Sequence, residues 1–191
     1  MRKFQAVSAY VQSSHPPASG VRGAIDSLVQ GSLVDLFGAY SVAVAPLPRS
    51  ARPQAPTLPD ISAAVSFTRQ PAGGQPGRLT LSLSGALLEH MTPGTGSKLK
   101  SDWARELANQ LMGRIKNRLL PFNVRLQVGV SSMLDSAKLE RHLQMAPDAR
   151  IYTARTLRSE TVVTIEGLPD DSQLVYVGPV NTAAEGDAIL F

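Results

Sequence analysis

An acid and an amide stand three residues apart within SDWARELANQLMGRIKNRLL, at 101–120. The spacing of apolar residues through this stretch predicts one helix, so Glu106 and Asn109 are neighbours on a single face. A carboxylate there can hold a cationic partner. The neighbouring amide can hold a water by hydrogen bonds without acting as a base. Asp102, Gly113 and Lys116 continue the same polar arc. On a helical wheel Trp103, Ala104, Leu107, Ala108, Leu111, Met112, Ile115 and Leu119 cover the opposite half, which must be buried against another layer. Gly113 costs a helix up to about 1 kcal/mol relative to alanine. Either something outside approaches the backbone closely there, or internal packing is tight.

Other chemistry is poorly supplied. The chain has no cysteine, which excludes disulfides, thiolate metal sites and cysteine nucleophiles. His15, His90 and His142 fall in no metal-ligand spacing, so no metal site is expected. TGSK near residue 98 lacks the full phosphate-loop frame, since Leu99 follows Lys98. No serine lies in a G-x-S-x-G elbow. The formal charge is +4, with Lys98, Lys100, Arg105, Arg114, Lys116 and Arg118 on or beside the predicted helix. Such a surface would steer an acidic partner, although a solvated helix face has the same composition. The basic residues are not interleaved with aromatics and no nucleic-acid module is present, so nucleic acid is not an expected partner.

The 191 residues, 43% hydrophobic and 18% charged, suit one globular domain with a real core. No apolar run is long enough to cross a membrane. MRKFQAVSAYVQSS lacks the apolar centre of a signal peptide. With no cysteines, these features fit a cytoplasmic protein without membrane contact.

The elements that must position the helix follow from pattern. Residues 1–21 read as a polar arm and 22–191 as one domain. A first helix is predicted over 22–38, stopped by Gly38, with a strand, YSVAVAP, directly after it. Five prolines between Pro46 and Pro59 make 46–59 an extended surface loop. Strands follow at 61–68 and 77–84, joined by the hairpin loop PAGGQPG, and then a short helix, GALLEHM. After the main helix, ended by Pro121, a strand is expected at 124–130, then a short helix or loop at 134–145. RIYTARTL, ETVVTIEG and SQLVYVG read as strands, and the final AILF as an edge strand. Each half runs helix, strand, interruption, two strands. That echo implies an α+β two-layer domain: a pseudo-symmetric, largely antiparallel sheet with two long helices on one face.

Asp102, Glu106 and Asn109 also resemble, at matching spacing, the signature of the CheC/CheX/FliY phosphatases of bacterial chemotaxis, which is Asp or Ser, then Glu, then Asn, with a proline further on. ELANQLMGRIKNRL is similar to that family's helix, and the likeness extends more weakly over 22–166. Ser132 stands where the family has its proline, and the first helix has no Glu-x-x-Asn, so the likeness is to the single-site, CheX-like kind. The resemblance implies a CheC-like fold and a phosphatase acting on the aspartyl phosphate of a CheY-like response regulator. Asn109 would position the attacking water and Glu106 would pair with the regulator's lysine. Asp102, Gly113 and Lys116 would meet the partner. Mg²⁺ is expected on the regulator, with no cofactor bound by this chain. The resemblance also allows a homodimer. Two other readings are a catalytically inactive CheX-like domain that binds a receiver, and a structural domain of a motility assembly.

Overall fold

The computed structural model describes residues 23–47, 58–70, 76–94, 96–146, 148–156 and 159–180. In chain order the elements are α1 (Ala24–Gly38), β1 (Ala45–Pro46), β2 (Ile61–Gln70), β3 (Gly77–Leu83), α2 (Gly85–Met91), α3 (Ser97–Leu119), β4 (Arg125–Leu134), α4 (Ser136–Met145), β5 (Arg150–Arg155) and β6 (Glu160–Glu166). The strands form one sheet in the order β1-β5-β6-β3-β2-β4, and every neighbouring pair is antiparallel. Alternation decides which face receives the helices. Leu79 and Leu81 of β3 lie opposite Ile165 and Val163 of β6. They share one buried core with Ala63, Val65 and Phe67 of β2, Ile25, Val29, Leu33 and Phe37 of α1, and Leu107, Leu111, Ile115 and Leu119 of α3. The α+β class and the two helices on one face are as the pattern predicts.

The echo between halves is a structural two-fold. Exchanging β1 with β4, β2 with β5 and β3 with β6 reverses the strand order onto itself. Both long helices end in the same way, 82 residues apart (41 to 123, 37 to 119). Ser41 and Asn123 are left-handed, with φ of 58° and 56°. Val42 N–H donates to the Phe37 carbonyl at 3.0 Å, and Val124 N–H to the Leu119 carbonyl at 3.3 Å. A left-handed residue followed by this backward bond satisfies carbonyls left open at a helix end. α1 ends at Gly38, as the sequence predicts, and the left-handed residue that turns the chain away from it is Ser41.

Several predicted boundaries move for identifiable reasons. α3 begins at Ser97, ahead of the predicted 101, and Pro121 lies in a 3₁₀ turn, Leu120–Phe122, that carries the chain out of it. YSVAVAP contributes only Ala45–Pro46 to the sheet. Tyr40 and Ser41 are consumed by the helix stop, and Pro46 has no N–H to offer a ladder. β4 runs on to Leu134, past the predicted 130. SQLVYVG forms no strand. Asp171–Gln173 is a 3₁₀ turn closed by a capping box with Asp170, Leu174 is buried, and Val177 N–H donates to the Pro121 carbonyl at 2.8 Å. The 1–21 arm, residues 48–57 of the proline-rich segment, residues 71–75 of the PAGGQPG loop and AILF lie outside the described residues.

Two features go beyond the expected two layers. The helix at 136–145 is capped by Asp135, whose carboxylate accepts from Ala137 N–H at 2.8 Å. Its His142 Nε2 hydrogen-bonds Glu166 Oε1 at 2.8 Å. Glu166 pairs with Arg78, on the opposite side of the sheet from Leu79 and Ile165. So α4, with Leu139 fully buried, lies on the face away from α1 and α3. The start of α1 is capped from far along the chain, since the Asp171 carboxylate accepts from Gly23 N–H at 2.9 Å and Ile25 N–H at 2.8 Å. Beside it Tyr152 donates its hydroxyl to Asp26 at 2.8 Å, and Arg150 lies 3.8 Å from Asp26 and 3.6 Å from Asp170. Burial, and then Asp26, pushes the Tyr152 phenol above its usual range, which keeps it a donor.

Candidate functional site

α3 presents the site because its apolar half is fully committed inward. Ala104, Leu107, Ala108, Leu111, Met112, Ile115 and Leu119 are all buried. The helix packs on β2, β3 and β4 and runs beside α1. That leaves Glu106 exposed and Asn109 and Gly113 half-buried on the outward arc.

Each of the two polar side chains is held by a different neighbour. Gln110 Nε2 donates to Glu106 Oε1 at 2.9 Å, and Gln110 Oε1 accepts from the Tyr40 hydroxyl at 2.9 Å. Tyr40 stands just past α1 and meets Trp103 edge-on, with ring centroids 5.8 Å apart at 82°. An aromatic pair of this geometry contributes about 0.5–1.5 kcal/mol beyond area burial. Trp103 packs against the core, as its place on the wheel predicts. Among the described residues Glu106 has no ion-pair partner, so its charge is available.

On the other side, Asn109 Nδ2 donates to Ser131 Oγ of β4 at 3.1 Å. A regular β4 would not place Ser131 there. Val128 pairs with Phe67 and Ser131 with Val65, so three steps along β4 match two along β2. This bulge at Gly129 and Val130 turns the strand by one side-chain parity and aims Ser131 at α3. Gly129 permits it, because a Cβ would lie 2.5 Å from Ser66 Oγ. Val130 is thrown outward and is 87% exposed beside the site.

The remaining predicted residues sit near this pair with separate surroundings. Asp102 pairs with Arg105 one turn on. Lys116 is half-buried. At Gly113 an added Cβ would meet nothing within 4 Å. Tight internal packing is therefore not the reason for that glycine. Its counterpart 82 residues earlier, Gly31, is different: a Cβ there would collide with the Arg118 guanidinium, which lies across α1 and pairs with Asp35. In α1 the counterparts of Glu106 and Asn109 are Ala24 and Ser27, so only one half carries the polar pair. We expect Gly113→Ala to raise stability by about 0.4–1 kcal/mol in thermal denaturation. Gly31→Ala should stay within about 0.5 kcal/mol of the wild type, because the helix gain is offset by displacing Arg118 from Asp35.

Sequence reasoning missed Ser131, Gln110 and Tyr40. An isolated glycine inside VRLQVGV is a bulge signal and could have drawn attention to Ser131. Nothing in the sequence brings Tyr40 to Gln110. Among the described residues no cluster of His, Asp or Glu could hold a metal ion, and no helix is long and apolar enough to cross a membrane.

No protein-family model matches the sequence, and no curated protein matches it. Solved structures match the fold. The chemotaxis protein CheX from Vibrio vulnificus superposes with a TM-score of 0.59 over 74% of this chain and 97% of its own, at 12% identity. A chemotactic CheC-like protein from Shewanella oneidensis gives 0.58 over 75% and 97%, also at 12% identity. The FliM middle domain from Vibrio alginolyticus gives 0.52 over 76% and 92%, again at 12%. The chain has the CheC-like fold.

Proposed function

We propose that the chain hydrolyses the aspartyl phosphate of a CheY-like response regulator. The observation that supports this most is the outward placement, on the fold of CheX, of an unpaired Glu106 beside an amide with one end still free. Acyl phosphates are reactive and phosphoryl transfer has a loose transition state, so catalysis is chiefly positioning and charge stabilisation. Asn109 uses Nδ2 on Ser131, which leaves Oδ1 to accept a hydrogen from water. The water oxygen attacks phosphorus in line with the bond to the aspartate oxygen. That bond breaks, the carboxylate leaves, and the water's proton goes to solvent, giving inorganic phosphate. Mg²⁺ on the regulator would neutralise the phosphoryl oxygens. Glu106 would pair with the regulator's lysine and set how deeply α3 enters the pocket. Asp102 and Lys116 would flank the contact, and Gly113 would let the partner's backbone come close. Both reactive side chains come from one chain, so the homodimer that the resemblance allows is not required by this chemistry.

The test is the decay of a phosphorylated receiver with Mg²⁺, with and without the chain. Glu106→Gln removes the charge but keeps the shape and the Gln110 contact. We expect it to raise KM roughly 10- to 100-fold with kcat within a few-fold, as for the loss of a charge-assisted hydrogen bond. An unchanged KM would remove Glu106 from the docking role. Ser132 in place of the family proline, and the likeness to a FliM middle domain, favour a second reading: a domain that binds a receiver or motility protein without hydrolysis. Binding of a receiver without any faster decay would select it.

A further inference from the structure

We infer that Ser131 is a positioning residue for Asn109, tying its amide to β4 so that the side chain stands in one place over the site. Its effect on rate rests on the phosphatase reading above, while the tether itself does not. An asparagine on a helix surface has two free torsions, so an untethered amide visits several positions. A water-positioning amide that is free to swing is in place only part of the time. Asn109 is part-buried at its contact with Ser131, and the 3.1 Å bond comes from another element, 22 residues along the chain. A hydroxyl on a strand rooted in the sheet is a firmer anchor than a neighbour on the same helix face.

The backbone of β4 is shaped to supply that hydroxyl. Without the extra residue between Val128 and Ser131, Val130 would occupy the α3-facing position and would offer Asn109 nothing to bond. The glycine that allows the bulge is hemmed in by Ser66, with Oγ at 2.5 Å and the carbonyl at 3.3 Å from a built Cβ. Bulges that re-aim one side chain are found beside active sites. Ser131 is also adjacent to Ser132, where the resemblance leads one to expect a proline.

The experiment has two arms. In receiver dephosphorylation, Ser131→Ala is expected to lower kcat by about three- to tenfold, the scale of one lost hydrogen bond, with KM unchanged. Ser131→Thr, which keeps the hydroxyl, should restore most of the rate. Combined with Asn109→Ala, Ser131→Ala should have no further effect, since its role passes through that amide. In the second arm, the Asn109 side-chain amide is followed by ¹⁵N–¹H NMR in the protein alone. Its two protons should be distinct and protected from exchange in the wild type and in Ser131→Thr, and should lose that protection in Ser131→Ala. An unchanged amide signal in Ser131→Ala overturns the assignment, as does an equal loss of kcat with and without Asn109. If the wild type does not speed decay at all, the phosphatase reading fails, and the NMR arm alone decides the role of Ser131.

Discussion

Replacing Asn109 by alanine is expected to remove nearly all acceleration of receiver dephosphorylation, a loss of about 100-fold or more. The side chain is proposed to hold the reacting water, and ordering one reactant is among the largest contributions a protein can make to such a step. The loss should fall on kcat, because Glu106, with its support from Gln110 and Tyr40, lies on the other side of the arc. The fold should be unaffected, since Asn109 is only half-buried and makes a single side-chain hydrogen bond. The check is single-turnover decay of the phosphorylated receiver beside circular dichroism of the variant. A variant that keeps wild-type decay rates while Glu106→Gln loses them would place the chemistry in docking alone, with water left to the receiver.

The second large effect concerns the scaffold. Phe37→Ala should destabilise the protein by about 3–5 kcal/mol, which at this chain length lowers the melting temperature by roughly 6–20 °C. Phe37 is fully buried in the core shared by α1, α3 and the sheet. Its carbonyl accepts from Tyr40 N–H and Val42 N–H, each at 3.0 Å, so it also stands at the stop of α1. Tyr40 leads from there to Gln110 and Glu106. Thermal denaturation followed by circular dichroism measures the change. A loss below about 1 kcal/mol would mean that α1 does not melt with the rest of the core.

Much of this arrangement can be read from residue patterns, because the strongest signals are periodic. The alternation of Leu79, Leu81 and Leu83 and the wheel of α3 each commit one face to burial, and the structure buries those faces. With α3 oriented, the outward position of Glu106 and Asn109 follows. The repeat of element order carries over to the sheet because each half must solve the same packing problem. The misses have local causes. Ser41 adopts a left-handed conformation that its residue type does not announce, so the start of β1 is misplaced. Val175–Val177 has the composition of a strand, but these residues are exposed, and the segment is held by a backbone bond to Pro121 and by the Tyr176 ring edge-on to Phe122. Contacts between distant segments, such as Tyr40 to Gln110 and Asn109 to Ser131, depend on chain crossings and on a bulge, and composition does not encode them.

The two-fold relation between the halves also sets how many partners one molecule can serve. The surface of α1 that corresponds to the site carries Ala24 and Ser27, and its glycine is covered by Arg118 reaching over from α3. The duplicated framework is thus asymmetric in valence: one half is a support that has sealed its own vacancy, and the other is left open. Under the proposed function each chain engages one receiver at a time. The capacity to clear signal would then scale with the number of chains, and two receivers would never compete for opposite sides of the same molecule.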